Sequence, residues 1–416
     1  MNIIKDQDVI IILKTMLNRL DDRLVDHGER VAYLCLELMR YMNVSEEEYL
    51  HVAKLALLHD IGAYKTEEVD ALLSFESEDV WEHAIYGYLF LTKMSPLKKN
   101  ADCVLYHHMS YERLMETDCS NKKIAALIHL CDRIDVSIKR GASLPSILHQ
   151  VGQFDPIQVK AFEELNHDNR LIQRLENKSY QDKMNDLYQT IYLGEDERKG
   201  YLEMLAYSID FRSEFTVLHT ITTTAIAIEL GKQYQLSSEE LDKLFYAALL
   251  HDIGKGAIPI SILEKQGKLN DEETKWMQRH VSITEEILNG YIQTDVLHMA
   301  ARHHEKLDGS GYPHQLTDKE LTLGDRIVAI ADILSALLGK RSYKEKFSIT
   351  KAISIIEEMA ENEKIDREIV RVFADHHEDI MIQVEQNTKK MNQLYEDMLE
   401  HYQELKTMYW MNSVKV

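Results

Sequence analysis

Basic residues are scarce beside acidic ones: 48 lysines and arginines face 70 aspartates and glutamates in 416 residues, a formal net charge of −22. That imbalance argues against general binding to a nucleic-acid duplex or an anionic lipid surface, because either polyanion is repelled. Cysteine is rarer still. The four present, Cys35, Cys103, Cys119 and Cys131, all fall in the first half without a Cys-x-x-Cys spacing. They read as free thiols of a reducing compartment, not as a disulfide framework. No apolar run reaches the roughly 18 residues of a membrane span. The stretch from Met1 to Leu20 alternates charged with apolar residues, as no signal peptide does. A cytoplasmic location with no membrane partner is the expectation.

Proline and glycine are sparse too, at 5 and 16 residues, and alternating valine, isoleucine and threonine over strand lengths are hard to find. Little in the chain interrupts a helix. The segments Arg30 to Tyr41, Ile221 to Tyr234 and Leu241 to Leu250 place apolar residues at three and four spacing. An all-α class follows. Helix starts are signalled at Ser45, ahead of three glutamates, and at Ser237-Ser238, ahead of Glu239-Glu240.

Each of those helices ends in a His-Asp pair, and the pairs belong to a longer repeat. His27, His59-Asp60, His83, His107-His108 and Asp132 are echoed by His219, His251-Asp252, His280, His303-His304 and Asp332. The offsets are 192, 192, 197, 196 and 200 residues. Coincidence does not hold five offsets that steady, so the chain reads as a duplication. The segments Phe154 to Phe162 and Ile365 to Phe373 close the two copies. The expected boundaries are a first unit over 1–175, a helical connector over 176–200 with breaks at Gly194 and Gly200, and a second unit over 201–376. A C-terminal helix over 377–416 follows. There Val384, Met391, Met398 and Leu405 recur every seven residues, with Leu394 and Met408 on the intervening face. That seam suits either a homodimer or a helix folded back on its own chain.

A lone histidine on an apolar face is usually a core residue, but an ordered set of histidines and aspartates is a ligand set. Imidazole and carboxylate suit first-row ions such as iron and manganese, and the absence of cysteine ligands argues against a closed structural zinc site. Seven candidate ligands exceed the needs of one ion. A carboxylate such as Asp252 can bridge two divalent ions roughly 3.5–4 Å apart, the arrangement that serves in-line displacement at phosphorus.

The second copy alone continues into His303-His304-Glu305-Lys306-Leu307-Asp308-Gly309-Ser310-Gly311-Tyr312-Pro313. With His219, His251-Asp252-Ile253-Gly254-Lys255, His280 and Ala331-Asp332, this loop resembles the HD-GYP family of bacterial metal-dependent phosphodiesterases that act on cyclic dinucleotides. The resemblance implies tandem HD-type helical domains, and catalysis in the second. His219, His251 and Asp332 would hold one iron or manganese ion, His280, His303 and His304 the other, with Asp252 shared. It casts Lys255, Arg341 and Lys344 as phosphate contacts, and Gly311, Tyr312 and Pro313 as the substrate loop; the Tyr312 ring packs beneath the site or approaches a base. Lys255 and Asp252 are the catalytic residues it implies. Family members with a third metal carry an acidic residue four before the first histidine; here Phe215 occupies that place and Glu214 is one step off the face, so two ions are expected.

The first copy, with His27, His59, Asp60, His83, His107, His108 and Asp132, forms a second candidate metal site. It has Ala63 in place of the lysine and no Gly-Tyr-Pro loop; Lys65, Lys139 and Arg140 lie nearby at other spacings. It reads as a degenerate HD domain. The resemblance thus implies hydrolysis of a cyclic dinucleotide, cyclic di-GMP foremost, to linear pGpG and further to GMP if the product rebinds. The mixed cyclic GMP-AMP ring is the alternative substrate, and a non-catalytic receptor the alternative function.

Overall fold

The structure is a computed structural model that describes residues 3–19, 24–66, 81–213, 216, 218–339 and 347–413. Arg341 and Lys344, and the Glu214 and Phe215 that bear on a third metal, lie outside the described residues. The fold is all-α. Among the described residues, extended pairing is limited to the isolated bridges Ile4–Ile292 and Asp308–Thr317.

The described residues of Leu13–Met204 and Glu400–Val416 make one compact unit; those of Met1–Ile12 and Leu205–Leu399 make the other. In the first unit, α1 (His27–Tyr41) packs on α2 (Glu46–Leu57) and on α4 (Lys122–Arg140), with α3 (Glu82–Met94) completing the ligand-bearing set. Val31, Leu34, Leu38, Leu55, Ile128 and Leu130 are wholly buried among these helices. In the second unit, α5 (His219–Gln233) packs on α6 (Ser238–Leu250) and α9 (Leu323–Leu338). Helices α7 (Asp271–Leu288) and α8 (Thr294–Ala301) complete that set.

Local sequence explains where α6 starts and stops. The Ser237 hydroxyl accepts the Glu240 N–H at 3.3 Å, while the Glu240 carboxylate accepts the Ser237 N–H at 2.8 Å, a reciprocal cap. Ser45 stands at the same place before α2, but its side chain makes no capping bond. Past α6 the chain turns at Gly254, where a Cβ would lie 2.0 Å from the His280 carbonyl oxygen. Only glycine permits that approach. The Gly254 N–H donates to Thr284 Oγ1 at 3.0 Å, and that hydroxyl donates to the His251 carbonyl at 3.0 Å. The His-Asp turn is therefore tied to α7.

The structure departs from the sequence reading at its boundaries. The helix Tyr180–Gln189, expected in a connector, buries Tyr180, Met184 and Tyr188 in the first unit. Tyr188 donates to Glu29 at 3.0 Å, and Lys183 pairs with Glu37 at 2.8 Å. Gly194 lies between helices, but Gly200, an expected break, sits inside the helix Glu195–Asp210. An interior glycine costs a helix only about 1 kcal/mol, less than the burial of neighbouring Tyr201 and Leu202 returns. The boundary expected at 376 falls inside an unbroken helix, α10 (Arg367–Ser413). Val384, Met391 and Met398 of its seam are buried within the chain, and the Tyr395 ring meets Phe211 edge-on at 4.9 Å. Val384, Met391 and Met398 thus pack on the chain itself, while Met408 at the far end of the seam is 52% exposed.

Met398→Ala should then lower the stability of the isolated chain by about 2–5 kcal/mol. The check is a melt read over a range of protein concentrations. A loss that grows on dilution would instead place Met398 between subunits.

Candidate metal centre

The seven expected ligands of the second unit come from five places in the chain. His219 opens α5, His251 and Asp252 follow α6, His280 lies in α7, His303 and His304 follow α8, and Asp332 lies along α9. The two oxygens of Asp252 face opposite halves of the cluster. Oδ2 is 3.1 Å from both His219 Nε2 and His251 Nε2; Oδ1 is 3.3 Å from His280 Nε2 and 3.9 Å from His303 Nε2. Asp332 closes the ring, with Oδ1 3.2 Å from His219 Nε2 and Oδ2 3.6 Å from His304 Nδ1.

Hydrogen bonds made behind the rings decide which nitrogen faces inward. Nδ1 of His251 lies 2.7 Å from the Ala248 carbonyl, that of His280 2.5 Å from Met277, and that of His303 2.7 Å from Ala300. A carbonyl only accepts, so each Nδ1 donates and each neutral ring turns an Nε2 lone pair inward. His280 and His303 thereby oppose two lone pairs 3.3 Å apart, with no proton to share. Asp252 Oδ1 is buried between them without a hydrogen-bond partner. Facing lone pairs and an orphaned carboxylate oxygen in a buried site call for a cation. The donor set of imidazole nitrogen and carboxylate oxygen, with no thiolate, fits divalent first-row ions.

The titration behaviour agrees. Burial holds His280 down at about 4 and His304 at about 3, so both are neutral donors near pH 7. Burial also opposes charge on His219, but hydrogen bonds to Asp252 and Asp332 outweigh it and raise that group to about 9. Burial would raise Asp252, yet His251, Lys255 and His219 around it hold it well below the usual carboxylate range. The Lys255 ammonium is hydrogen-bonded to Asp252 Oδ2.

The loop beyond His304 folds around one buried carboxylate. Glu305 accepts the His314 N–H at 2.7 Å and the Leu316 N–H at 2.9 Å. Gly311 passes so close that a Cβ there would meet Glu305 Cα at 2.4 Å. The Tyr312 N–H donates to the His304 carbonyl at 3.3 Å, and the Tyr312 ring lies 4.8 Å from that of His304. The Tyr312 ring thus packs against that of His304, and the Tyr312-Pro313 peptide is cis.

The first unit gathers its seven residues in the same order. His59, His83 and His107 present Nε2 at 3.4, 3.6 and 3.6 Å from Asp60 Oδ1, and His27 Nε2 is 3.2 Å from Asp132 Oδ1. His108 Nδ1 is 3.8 Å from Asp132 Oδ2, and its Nε2 is 2.9 Å from that of His83. His59 Nε2, His107 Nε2 and Asp60 Oδ1 are buried without hydrogen-bond partners. The surroundings differ. After His108 the chain enters the short helix Tyr111–Leu114, with the Tyr111 N–H on the Gln153 carbonyl at 3.0 Å. Lys65 lies in the helix Ala63–Thr66, and Lys139 donates to the Val25 carbonyl at 3.2 Å. The cation against the ligands is Arg133, unforeseen in the sequence, whose guanidinium donates to Asp132 Oδ2 at 2.9 and 2.7 Å.

Two partners of the first histidines were also missed: Asp135 Oδ2, 2.7 Å from His27 Nδ1, and Ser335 Oγ, 3.0 Å from His219 Nδ1. Their mutual offset of 200, equal to that between Asp132 and Asp332, was the available signal. Asp210, which accepts the Thr220 N–H at 3.0 Å and which burial pushes up to about 6, carried no signal in spacing or motif.

Comparison with known proteins places these features. A family model described as HD domain matches residues 203–369, and another described as HD domain matches residues 24–137. The chain is 30% identical over 373 residues to 3'3'-cGAMP-specific phosphodiesterase 1 of Vibrio cholerae, covering 84% of this chain and 86% of that protein. It is 40% identical over 166 residues to the cyclic di-GMP phosphodiesterase response regulator RpfG of Xanthomonas campestris, covering 39% of this chain and 44% of that one. A crystal structure titled as a cyclic GMP-AMP specific phosphodiesterase of V. cholerae superposes with a TM-score of 0.58 at 21% identity, covering 89% of this chain and 97% of that one. That last likeness is one of fold.

His219, held at about 9, carries a proton at pH 7 before any ion binds, and a ligand must give that proton up. Uptake of a divalent ion by the second unit should release about one proton at pH 7, and apparent affinity should climb between pH 7 and 9. Titration of Mn²⁺ into weakly buffered protein, with His59→Ala and Asp60→Ala removing the first centre, reads both. Uptake without proton release would contradict the charged state of His219.

Proposed function

We propose, for a chain that belongs to the HD-GYP family of HD-domain proteins, that its second unit hydrolyses a cyclic dinucleotide by metal-dependent attack on a phosphodiester. The observation that carries this reading is the second unit's complete set: opposed imidazole lone pairs, a carboxylate facing both halves, a lysine on that carboxylate, and a roof loop folded on Glu305. His219, His251 and Asp332 would hold one divalent ion, His280, His303 and His304 the other, and Asp252 both; iron and manganese are the ions such donors suit. When bound, the pair supplies the positive charge that an attacked phosphodiester and its departing oxygen require.

The protein's own groups do the rest. The ring nitrogens are locked behind by carbonyls and need no reorganisation when substrate arrives. Lys255, a point charge beside Asp252, would supply positive charge to a phosphate oxygen of the substrate. Gly311 lets the loop pass close over the Glu305 backbone and the Tyr312 ring packs on that of His304; Gly311, Tyr312 and Pro313 would together form the substrate loop. Water adds to phosphorus, the bridging ester oxygen leaves with a proton, and the ring opens to the linear dinucleotide. Arg341 and Lys344 complete this proposal as further phosphate contacts. In a chain of formal charge −22, local cations are what draw a dianionic ring inward.

Cyclic di-GMP and the mixed GMP-AMP ring are both substrates of relatives, by name. The relative aligned over 84% of the chain is named for the mixed ring, which favours that ring as a second reading. The test is turnover of each ring by iron- and manganese-loaded protein, resolved by chromatography. His251→Ala and Asp252→Ala should lose the metal of the second centre and the activity with it. Lys255→Ala should keep the metal while kcat/KM falls about 100-fold or more, the usual loss of one preorganised charge-stabilising group. Undiminished turnover in Lys255→Ala would remove its assigned role, and tight binding of both rings without hydrolysis would favour a receptor.

A further inference from the structure

Every buried imidazole of the second centre whose Nδ1 is committed to a backbone carbonyl finds that carbonyl three residues earlier. His219 does not. It is the first residue of α5, and the carbonyl three residues earlier, that of Thr216, takes its backbone N–H at 2.7 Å. Its Nδ1 finds a partner on another helix.

That helix is α9. Asp332 and Ser335 are three residues apart and share a face, so one turn presents both to the start of α5. Ser335 Oγ lies 3.0 Å from His219 Nδ1 and 3.0 Å from the His219 carbonyl oxygen. The carbonyl can only accept, so the hydroxyl proton goes there, and an oxygen lone pair is left to take the Nδ1–H. The Nδ1 contact sets the ring angle, and the carbonyl contact anchors the residue that bears the ring. Nε2, which gives up its proton when an ion binds, then points between Asp252 and Asp332.

The first unit solves the same problem with a charged group. His27 opens α1, and Asp135 accepts its Nδ1–H at 2.7 Å while Arg30 clamps that carboxylate at 2.5 and 3.0 Å. At the corresponding positions, 192 and 200 residues on, stand Thr222 and Ser335. Clamp and acceptor changed together, from an ion pair to neutral hydroxyls.

We propose that Ser335 is a positioning residue of the second centre: by accepting His219 Nδ1–H and donating to the His219 carbonyl, it fixes the tautomer and angle through which His219 binds a divalent ion. The inference rests on reading the second unit as a metal centre. Removal of a group that orients a ligand histidine typically costs 10–100-fold in metal affinity.

The test uses the full chain with His59→Ala and Asp60→Ala, so that only the second centre binds, and measures Mn²⁺ affinity by equilibrium dialysis. Ser335→Ala should weaken binding about 10–100-fold, and Ser335→Thr, which keeps the hydroxyl, should restore it to within a few-fold. Equal affinity in Ser335→Ala would overturn the inference while leaving the metal centre intact; no binding in the parent would overturn both. Loss in Ser335→Thr as deep as in Ser335→Ala would assign the effect to packing and overturn it too. A measurement on the unsubstituted chain needs no variant to fold: in the Zn²⁺-loaded protein, nitrogen-15 spectra should show a His219 Nδ1–H protected from exchange, and a rapidly exchanging one would overturn the proposal.

Discussion

The architecture of both centres depends on hydrogen bonds made on the outer side of the imidazole rings. A helix leaves its last four carbonyls without intrahelical partners. His251, His303, His59 and His107 each stand just past a helix and donate Nδ1–H to a carbonyl of its last turn, those of Ala248, Ala300, Ala56 and Val104. One bond thus satisfies an orphaned acceptor and turns an Nε2 lone pair to the centre. The consequence is electrostatic. Several lone pairs and a carboxylate brought together in a buried site repel one another until a cation lies among them. An all-helical fold suits this, because each ligand is delivered by a helix end or face whose position the core sets.

Against this concentration of anionic and lone-pair donors, the placement of cations distinguishes the units. The second sets Lys255 on Asp252, the carboxylate that faces both halves of its cluster. The first has Ala63 there and sets Arg133 on Asp132, the carboxylate at the edge. A flexible ammonium on the shared carboxylate can be displaced toward an incoming phosphate. A guanidinium held through two nitrogens, and buried, is harder to move. The two units thus differ in which carboxylate is balanced and in how mobile the balancing charge is, though their seven ligand positions match one for one.

That these histidines and aspartates gather into two clusters was legible in the sequence, because metal chemistry restricts residue type and the helical frame restricts spacing; five offsets between 192 and 200 left little freedom. The fold class was legible for a similar reason, since few glycines and prolines interrupt the three-and-four pattern. Features that depend on what a residue meets across space were not. Ser335 is an ordinary helical serine until the start of α5 is placed against it, and Arg133 an ordinary surface type until its guanidinium is seen to fold back on Asp132. The seam of α10 was read correctly as apolar, but periodicity does not say whether a stripe faces a twin or its own chain. Gly200 was read as a break because propensity is local, whereas the burial of Tyr201 and Leu202 beside it is not.

The Gly-Tyr-Pro loop shows why the first unit keeps a ligand cluster without its roof. Glu305 holds the loop by accepting two backbone N–H groups, those of His314 and Leu316, and Gly311 passes over the Glu305 backbone where no side chain fits. The loop is thus gathered on one carboxylate. The ligand cluster has a different basis: its rings are turned by helix ends that the core requires anyway. In the first unit His107-His108 is followed by Met109 and Ser110, with no glutamate to gather a loop, and the chain closes on Gln153 instead. Loss of the roof leaves the outer hydrogen bonds of His59, His107 and His27 untouched, and with them the inward lone pairs. The electrostatic demand for a cation therefore survives in a unit stripped of the groups that would wall a cyclic dinucleotide.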